Sequence, residues 1–124
     1  YPYKNIQTNT LLHKQACQYT NPIMSTYTKA RGKLPPKFTF IKINPDNLLI
    51  SAIKKAEKES ALIIRFYETT GKHLSGEIEL FREYSKAFQI NLLEQEEKII
   101  ENANRKVNLL IKPYEIVSIK IPTD

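Results

Sequence analysis

Apolar and polar residues alternate along most of the chain after residue 37. The segment 38–43 (FTFIKI) has the pattern of a half-buried strand, and 61–67 (ALIIRFY) is apolar enough for a central strand. Residues 44–47 (NPDN) and 69–72 (TTGK) are turn sequences. Strands are predicted at 38–43, 48–53, 61–67, 74–82, 87–93, 107–111 and 114–121. Short strands at intervals of about 8–12 residues predict an all-β fold, an antiparallel β-sandwich of about seven strands.

One segment has an ambiguous pattern. Residues 93–106 contain a charged run that favours a helix by propensity, with Ile99 and Ile100 lying between charged residues. A short additional strand or a surface loop fits this segment equally well.

The first 37 residues differ from the rest of the chain. They lack hydrophobic periodicity and contain Pro2, Pro22, Pro35 and Pro36, so we predict an extended segment. Their apolar residues are too many for a free linker. We therefore divide the chain into a basic inter-domain leader (residues 1–37) and a β-sandwich domain (residues 38–124), and expect the leader to lie along another surface.

The charge is concentrated near the beginning of the chain. The net charge is +6, and residues 1–45 contain seven lysines or arginines and no acidic residue. Such a segment suits an acidic protein surface or a nucleic acid. Because the lysines are scattered and arginine is scarce, nucleic acid is the less favoured partner.

The composition also bears on the cellular compartment. One cysteine excludes an internal disulfide, and the glycosylation signal Asn-x-Ser/Thr does not occur. No apolar run approaches the ~18 residues that a membrane-spanning helix needs. These features predict a cytoplasmic protein that does not enter a membrane.

The residues that could support catalysis or metal binding lack the necessary partners. His13 and His73 have no metal-ligand spacing, and His73 is predicted to be a solvated loop residue. Cys17 has no thiol partner and is predicted to be a buried structural residue. The alternation around Glu77 and Glu79 places both on the solvent side of a strand. The sequence therefore predicts no catalytic, cofactor-binding or metal-binding residue in this chain.

Aromatic residues are the remaining candidates for ligand binding. The chain has seven tyrosines and five phenylalanines, and core packing explains most of them. Tyr67 and Tyr114 lie near strand edges or turns, where a ring could stack on a sugar or a base.

Several stretches together resemble the C-terminal β-domain of glycoside hydrolase family 38, the zinc-dependent α-mannosidases, in its prokaryotic form. The resemblance covers roughly residues 16–121, and the stretches occur in the family's order. They are 19–23 (YTNPI), 34–40 (LPPKFTF), 48–57 (LLISAIKKAE), 62–71 (LIIRFYETTG), 91–94 (NLLE) and 110–117 (LIKPYEIV).

The resemblance implies a non-catalytic role. In that family the zinc ligands and the nucleophile belong to an N-terminal α/β domain, and its His-x-Asp metal pair does not occur here. The implied partner is the remainder of a parent α-mannosidase, with zinc in the parent's catalytic domain. Mannose-containing carbohydrate is a further implied ligand, and Tyr19, Asn21, Tyr67 and Tyr114 are the predicted carbohydrate or inter-domain contacts.

Two alternatives remain open. A free-standing carbohydrate-binding module would expose an aromatic ledge on one sheet face. A basic nucleic-acid-binding sandwich would bind DNA or RNA with a steep dependence on salt.

Overall fold

A computed structural model describes residues 6–29, 32–100 and 104–123. These ranges contain one helix and eight strands. They are α1 (Ile6–Thr20), β1 (Ile41–Asn44), β2 (Leu48–Lys55), β3 (Ala61–Glu68), β4 (Leu74–Tyr84), β5 (Ala87–Ile90), β6 (Glu96–Ile100), β7 (Asn104–Ile111) and β8 (Ile116–Pro122).

The strands form two antiparallel sheets. The smaller sheet has the order β1-β4-β7, and the larger has the order β2-β3-β8-β5-β6. Strand β3 pairs with both β2 and β8, which confirms the central strand predicted from its apolar run. The predicted all-β antiparallel sandwich is confirmed, with eight strands where the sequence predicted about seven.

The additional strand comes from the ambiguous segment. Residues 96–100 form β6, which pairs with β5, and β7 begins at Asn104. Ile100 faces the core while Ile99 on the opposite face is exposed. An extra strand was one of the three readings left open by the sequence.

The main core lies between the sheets. Ile64 and Phe66 of β3 pack there with Ile78 of β4 and Val107 of β7. The neighbouring Ile63 points to the other side of the larger sheet, where it packs with Ala56, Ala61, Ile90 and Phe88 in a second apolar cluster. Burial on both faces explains why β3 is almost continuously apolar.

Two edge strands lie on one open side of the sandwich. Strand β6 ends the larger sheet and β7 ends the smaller one. A groove of about 440 Å³ between them is lined by Ile99, Leu109 and Leu110, among others, and Leu110 is 88% exposed. This side therefore presents both apolar side chains and strand edges to its surroundings.

The leader is not extended throughout, which corrects the sequence prediction. Residues 6–20 form α1, because the prolines of the leader lie outside this stretch and several of its residues, such as Leu11, Leu12 and Ala16, favour helix. The helix ends where the Asn21 amide donates to the Cys17 carbonyl oxygen at 2.9 Å, and Pro22 cannot continue it. Residues 22–29 are irregular, as predicted. Within the described ranges, no helix has the length and apolar character needed to cross a membrane.

Candidate functional site

Three turns meet at one end of the sandwich around the side chain of Glu68. This residue ends β3 and is 2% exposed. Its carboxylate accepts hydrogen bonds from the amides of Thr70 and Gly71, both at 2.6 Å, and from the Tyr114 amide at 3.1 Å. The Asn47 side-chain amide donates to the same carboxylate at 3.0 Å. One buried carboxylate thus joins the β1–β2, β3–β4 and β7–β8 turns, and we name this arrangement the Glu68 hub.

Hydrogen bonding keeps the hub carboxylate charged. Burial alone would raise the pKa of Glu68, but the Thr70 hydroxyl and the amides of Tyr114, Thr70 and Gly71 outweigh it. Together they lower the pKa from 4.5 to about 2. The hub is therefore a structural carboxylate that stays ionised at neutral pH, and it does not suit general acid–base catalysis.

Tyr114 lies at the outer edge of the hub. It is 64% exposed, and its φ of 56° places it in the left-handed region. Its ring covers Gly71, since a Cβ on that glycine would lie 2.6 Å from the ring carbons Cε2 and Cζ. Tyr114 is therefore a ring held against a turn with one face available to solvent.

Helix α1 contacts the same end of the sandwich. The Thr10 and Thr69 hydroxyls lie 2.8 Å apart, and Lys14 Nζ lies 3.4 Å from an Asp46 carboxylate oxygen. A groove of about 390 Å³ runs between the helix and the β1–β2 turn. The helix is thus held by a few polar contacts, and Leu11 beside the groove is exposed.

Tyr67 faces this helix. Its hydroxyl lies 3.4 Å from His13 Nδ1, and the two rings meet edge to face with centroids 5.7 Å apart. Burial raises the pKa of the Tyr67 hydroxyl, and electrostatic repulsion from Cys17 raises it further. The prediction that Cys17 is buried is wrong: the thiol is exposed, because α1 contacts the sandwich about one turn earlier, near Thr10, His13 and Lys14.

The predicted contact residues do not form one site. Asn21 caps the end of α1, where its side chain donates to the Cys17 carbonyl oxygen at 3.2 Å and to the Thr20 hydroxyl at 3.0 Å. Tyr19 is almost fully exposed on the same helix. Tyr67 packs on His13, whereas Tyr114 packs on Gly71. Their roles as carbohydrate or inter-domain contacts stay predictions.

The acidic and histidine candidates lie largely where the sequence placed them. Glu77 and Glu79 are on the outer side of β4. Ile78 and Leu80, which alternate with them along the strand, are buried. His73 is exposed in the β3–β4 turn, as predicted. Across residues 6–29, 32–100 and 104–123, no three His, Cys, Asp or Glu side chains are grouped to hold a metal ion.

An aromatic cluster on the smaller sheet was missed by the sequence analysis. Phe40 and Phe81 stack with ring centroids 4.4 Å apart and planes 22° apart, and Phe38 meets Phe81 edge to face at 5.9 Å. Phe38 and Phe40 are each 45% exposed. We name these three rings the aromatic ledge. The sequence did contain a signal for this cluster. Side chains alternate between the two faces of a strand, and Phe81 is out of phase with the inward-facing Ile78 and Leu80, so it is expected on the outer face.

Comparison with known proteins identifies the sandwich. A comparison with curated protein sequences gives no match. Residues 47–119 match the sequence model of a family described as the glycosyl hydrolases family 38 C-terminal beta sandwich domain. The match begins in the β1–β2 turn and ends within β8, so it includes residues of seven of the eight strands. Because it covers more than half of the chain, the chain belongs to glycosyl hydrolase family 38, in which it is the C-terminal β-sandwich domain.

Proposed function

We propose that this chain is the non-catalytic final sandwich of a zinc-dependent α-mannosidase and that it packs on the catalytic body of that parent enzyme. The observation that carries the proposal is the family match over residues 47–119. In this proposal the zinc and the nucleophile reside in the parent's catalytic domain.

The leader supports packing on a larger body. Tyr19, Ile23, Met24 and Tyr27 are between 89% and 99% exposed, which is unusual for a run of large apolar side chains. The leader also carries cations without acids, so an acidic rim around an apolar patch is the surface that complements it. We therefore propose that residues 19–29 lie along the parent's preceding domain.

The cellular location belongs to the same proposal. The single cysteine and the missing Asn-x-Ser/Thr signal support a parent enzyme that works in the cytoplasm, where disulfides and N-glycans are not formed.

The first test compares activities. The parent enzyme should hydrolyse an aryl α-mannoside in a zinc-dependent manner, whereas the 124-residue chain alone should not hydrolyse it and should not retain zinc after dialysis. Hydrolysis by the chain alone, or one zinc per chain by metal analysis, would contradict the proposal.

The second test addresses packing in the intact parent. Replacing Ile23 and Met24 together by serine should lower the parent's thermal midpoint and expose Lys29 to trypsin, while the zinc content stays unchanged. Leu92→Ser is the matched control, because Leu92 is an exposed apolar residue in a different loop. If the leader variant and the control behave alike, the leader does not dock on the parent.

A further inference from the structure

We propose that the aromatic ledge is a binding subsite for a single neutral pyranose ring of a carbohydrate. The inference goes beyond the proposed packing role and rests on the proposed function only for the choice of a mannoside as probe. It places the sugar on the outer face of the smaller sheet, away from the Glu68 hub and from Tyr114.

The register of the sheet builds the site. Lys42 of β1 lies directly opposite Glu79 of β4 on the outer face. One pair further along the same face, Phe40 and Phe81 stand side by side, joined by the hydrogen bond from the Phe81 amide to the Phe40 carbonyl oxygen at 3.1 Å. Apolar ring surface and charged groups of both signs are therefore adjacent on the outer face, at one end of the β1–β4 strand pair.

A hollow beside the rings gathers the polar groups. It measures about 140 Å³ and is lined by Phe38 and Phe81 together with Lys42, Glu79 and Arg105. One guanidinium nitrogen of Arg105 donates to the Phe81 carbonyl oxygen, which fixes the side chain at the edge of the hollow. The guanidinium of Arg82 lies over the Phe81 ring, 5.7 Å from its centroid.

This combination suits a sugar ring. A pyranose has a face of C–H groups, which the negative face of an aromatic ring attracts, and an edge of hydroxyl groups that both donate and accept hydrogen bonds. Lys42 and Arg105 supply donors, and Glu79 supplies an acceptor. An apolar wall with a few convergent polar groups is also the usual character of a small-molecule site.

Two other occupants fit less well. A nucleic acid strand would bring negatively charged phosphates against the Glu79 carboxylate, and the like charges would repel each other. A protein interface needs about 800 Å² from each partner, far more than three partly exposed rings and a hollow of about 140 Å³ present. The size therefore limits the occupant to about one ring.

The test is a titration of the 124-residue chain, labelled with ¹⁵N, with methyl α-D-mannopyranoside. The amides of Phe40, Lys42 and Phe81 should shift progressively. Phe40→Leu keeps the apolar bulk but removes the aromatic face, and it should weaken binding about tenfold, as expected for the loss of one stacking contact. Glu79→Ala should also weaken binding by removing the acceptor.

Leu92→Ala is the matched control, because it removes an exposed apolar side chain from the β5–β6 loop, which has no assigned role in binding. It should leave the affinity unchanged, and the unperturbed amide spectrum of each variant will show that the fold is intact. Shifts centred on Tyr67 or Tyr114 would overturn the assignment of the ledge, as would shifts produced by a single-stranded oligonucleotide but not by sugar. The absence of shifts at the highest soluble sugar concentration would overturn it too. None of these outcomes affects the proposed role in the parent, which its own thermal and proteolytic tests decide.

Discussion

Replacing Glu68 by glutamine tests whether one carboxylate holds an entire end of the sandwich. The substitution preserves the shape of the side chain but removes its charge and turns one acceptor oxygen into a donor. That donor would face the amides of Thr70, Gly71 or Tyr114, which are themselves donors. The variant therefore loses the charge-assisted hydrogen bonds and gains a repulsive contact.

The magnitude follows from the pKa of the carboxyl group. A pKa lowered from 4.5 to about 2, at about 1.4 kcal/mol per pH unit, corresponds to about 3 kcal/mol of folding stability. Because the folded-state pKa is the lower one, this contribution is fully present above pH 4.5 and is lost as the pH falls through about 2. At pH 7 the free energy of unfolding of Glu68→Gln should thus be about 3 kcal/mol lower than that of the wild type.

The assay is urea unfolding followed by circular dichroism at several pH values between 7 and 2. Other carboxyl groups titrate in the same range, so the informative quantity is the difference in unfolding free energy between the wild type and Glu68→Gln. That difference should shrink steadily below pH 4.5. Glu83→Gln serves as the control, because Glu83 is exposed on β4, and it should change the stability by less than about 0.5 kcal/mol.

Two results would refute the reasoning. If Glu68→Gln is no more destabilising than Glu83→Gln, the carboxylate does not join the turns. If the difference between wild type and Glu68→Gln stays constant down to pH 2, the pKa of Glu68 is not lowered in the folded state.

Three further predictions concern the same chain. Gly71→Ala should lower the free energy of unfolding by at least about 1–2 kcal/mol, because a φ of 71° disfavours a side chain and a Cβ would clash with the Tyr114 ring. Adding Tyr114→Ala to this variant should remove the clash but not the backbone strain, and urea melts measure both effects. Ile64→Ala should lower the free energy of unfolding by about 2–5 kcal/mol because the side chain is fully buried, and Arg65→Ala should lower it clearly less in the same melts. Equal losses would mean that Ile64 does not face the core. Limited digestion of the dilute monomer with trypsin should cut at Lys29 before any strand, and resistance equal to that of the strands would show that the leader is integral to the sandwich.

The sandwich could be predicted because its signals are local. Alternation in β4 and the continuous apolar run of β3 depend only on whether one or both faces are buried, and the sequence shows this directly. Helix α1 was missed because its apolar residues do not form a clear stripe and prolines flank it on both sides. Propensity within residues 6–20 was the signal that could have predicted it.

The Glu68 hub could not be predicted because it depends on contacts distant in sequence. Glu68 and Tyr114 are 46 residues apart, and only the pairing of β3 with β8 brings them together. The ledge, by contrast, was present in the pattern. The inward residues Ile41 and Ile43 are out of phase with Phe38 and Phe40, so alternation places these two rings on the outer face.

The open side between β6 and β7 has a consequence for how this domain behaves in solution. Free strand edges with exposed apolar residues such as Leu110 are templates on which other chains can form cross-strand pairs. Strand β7 carries Arg105 near its start, and Lys112 follows its end, so two copies that approach each other by their β7 strands repel each other. Charge along the edge is thus a protection against aggregation, and it weakens as salt shortens the range of the repulsion to about 8 Å at physiological ionic strength.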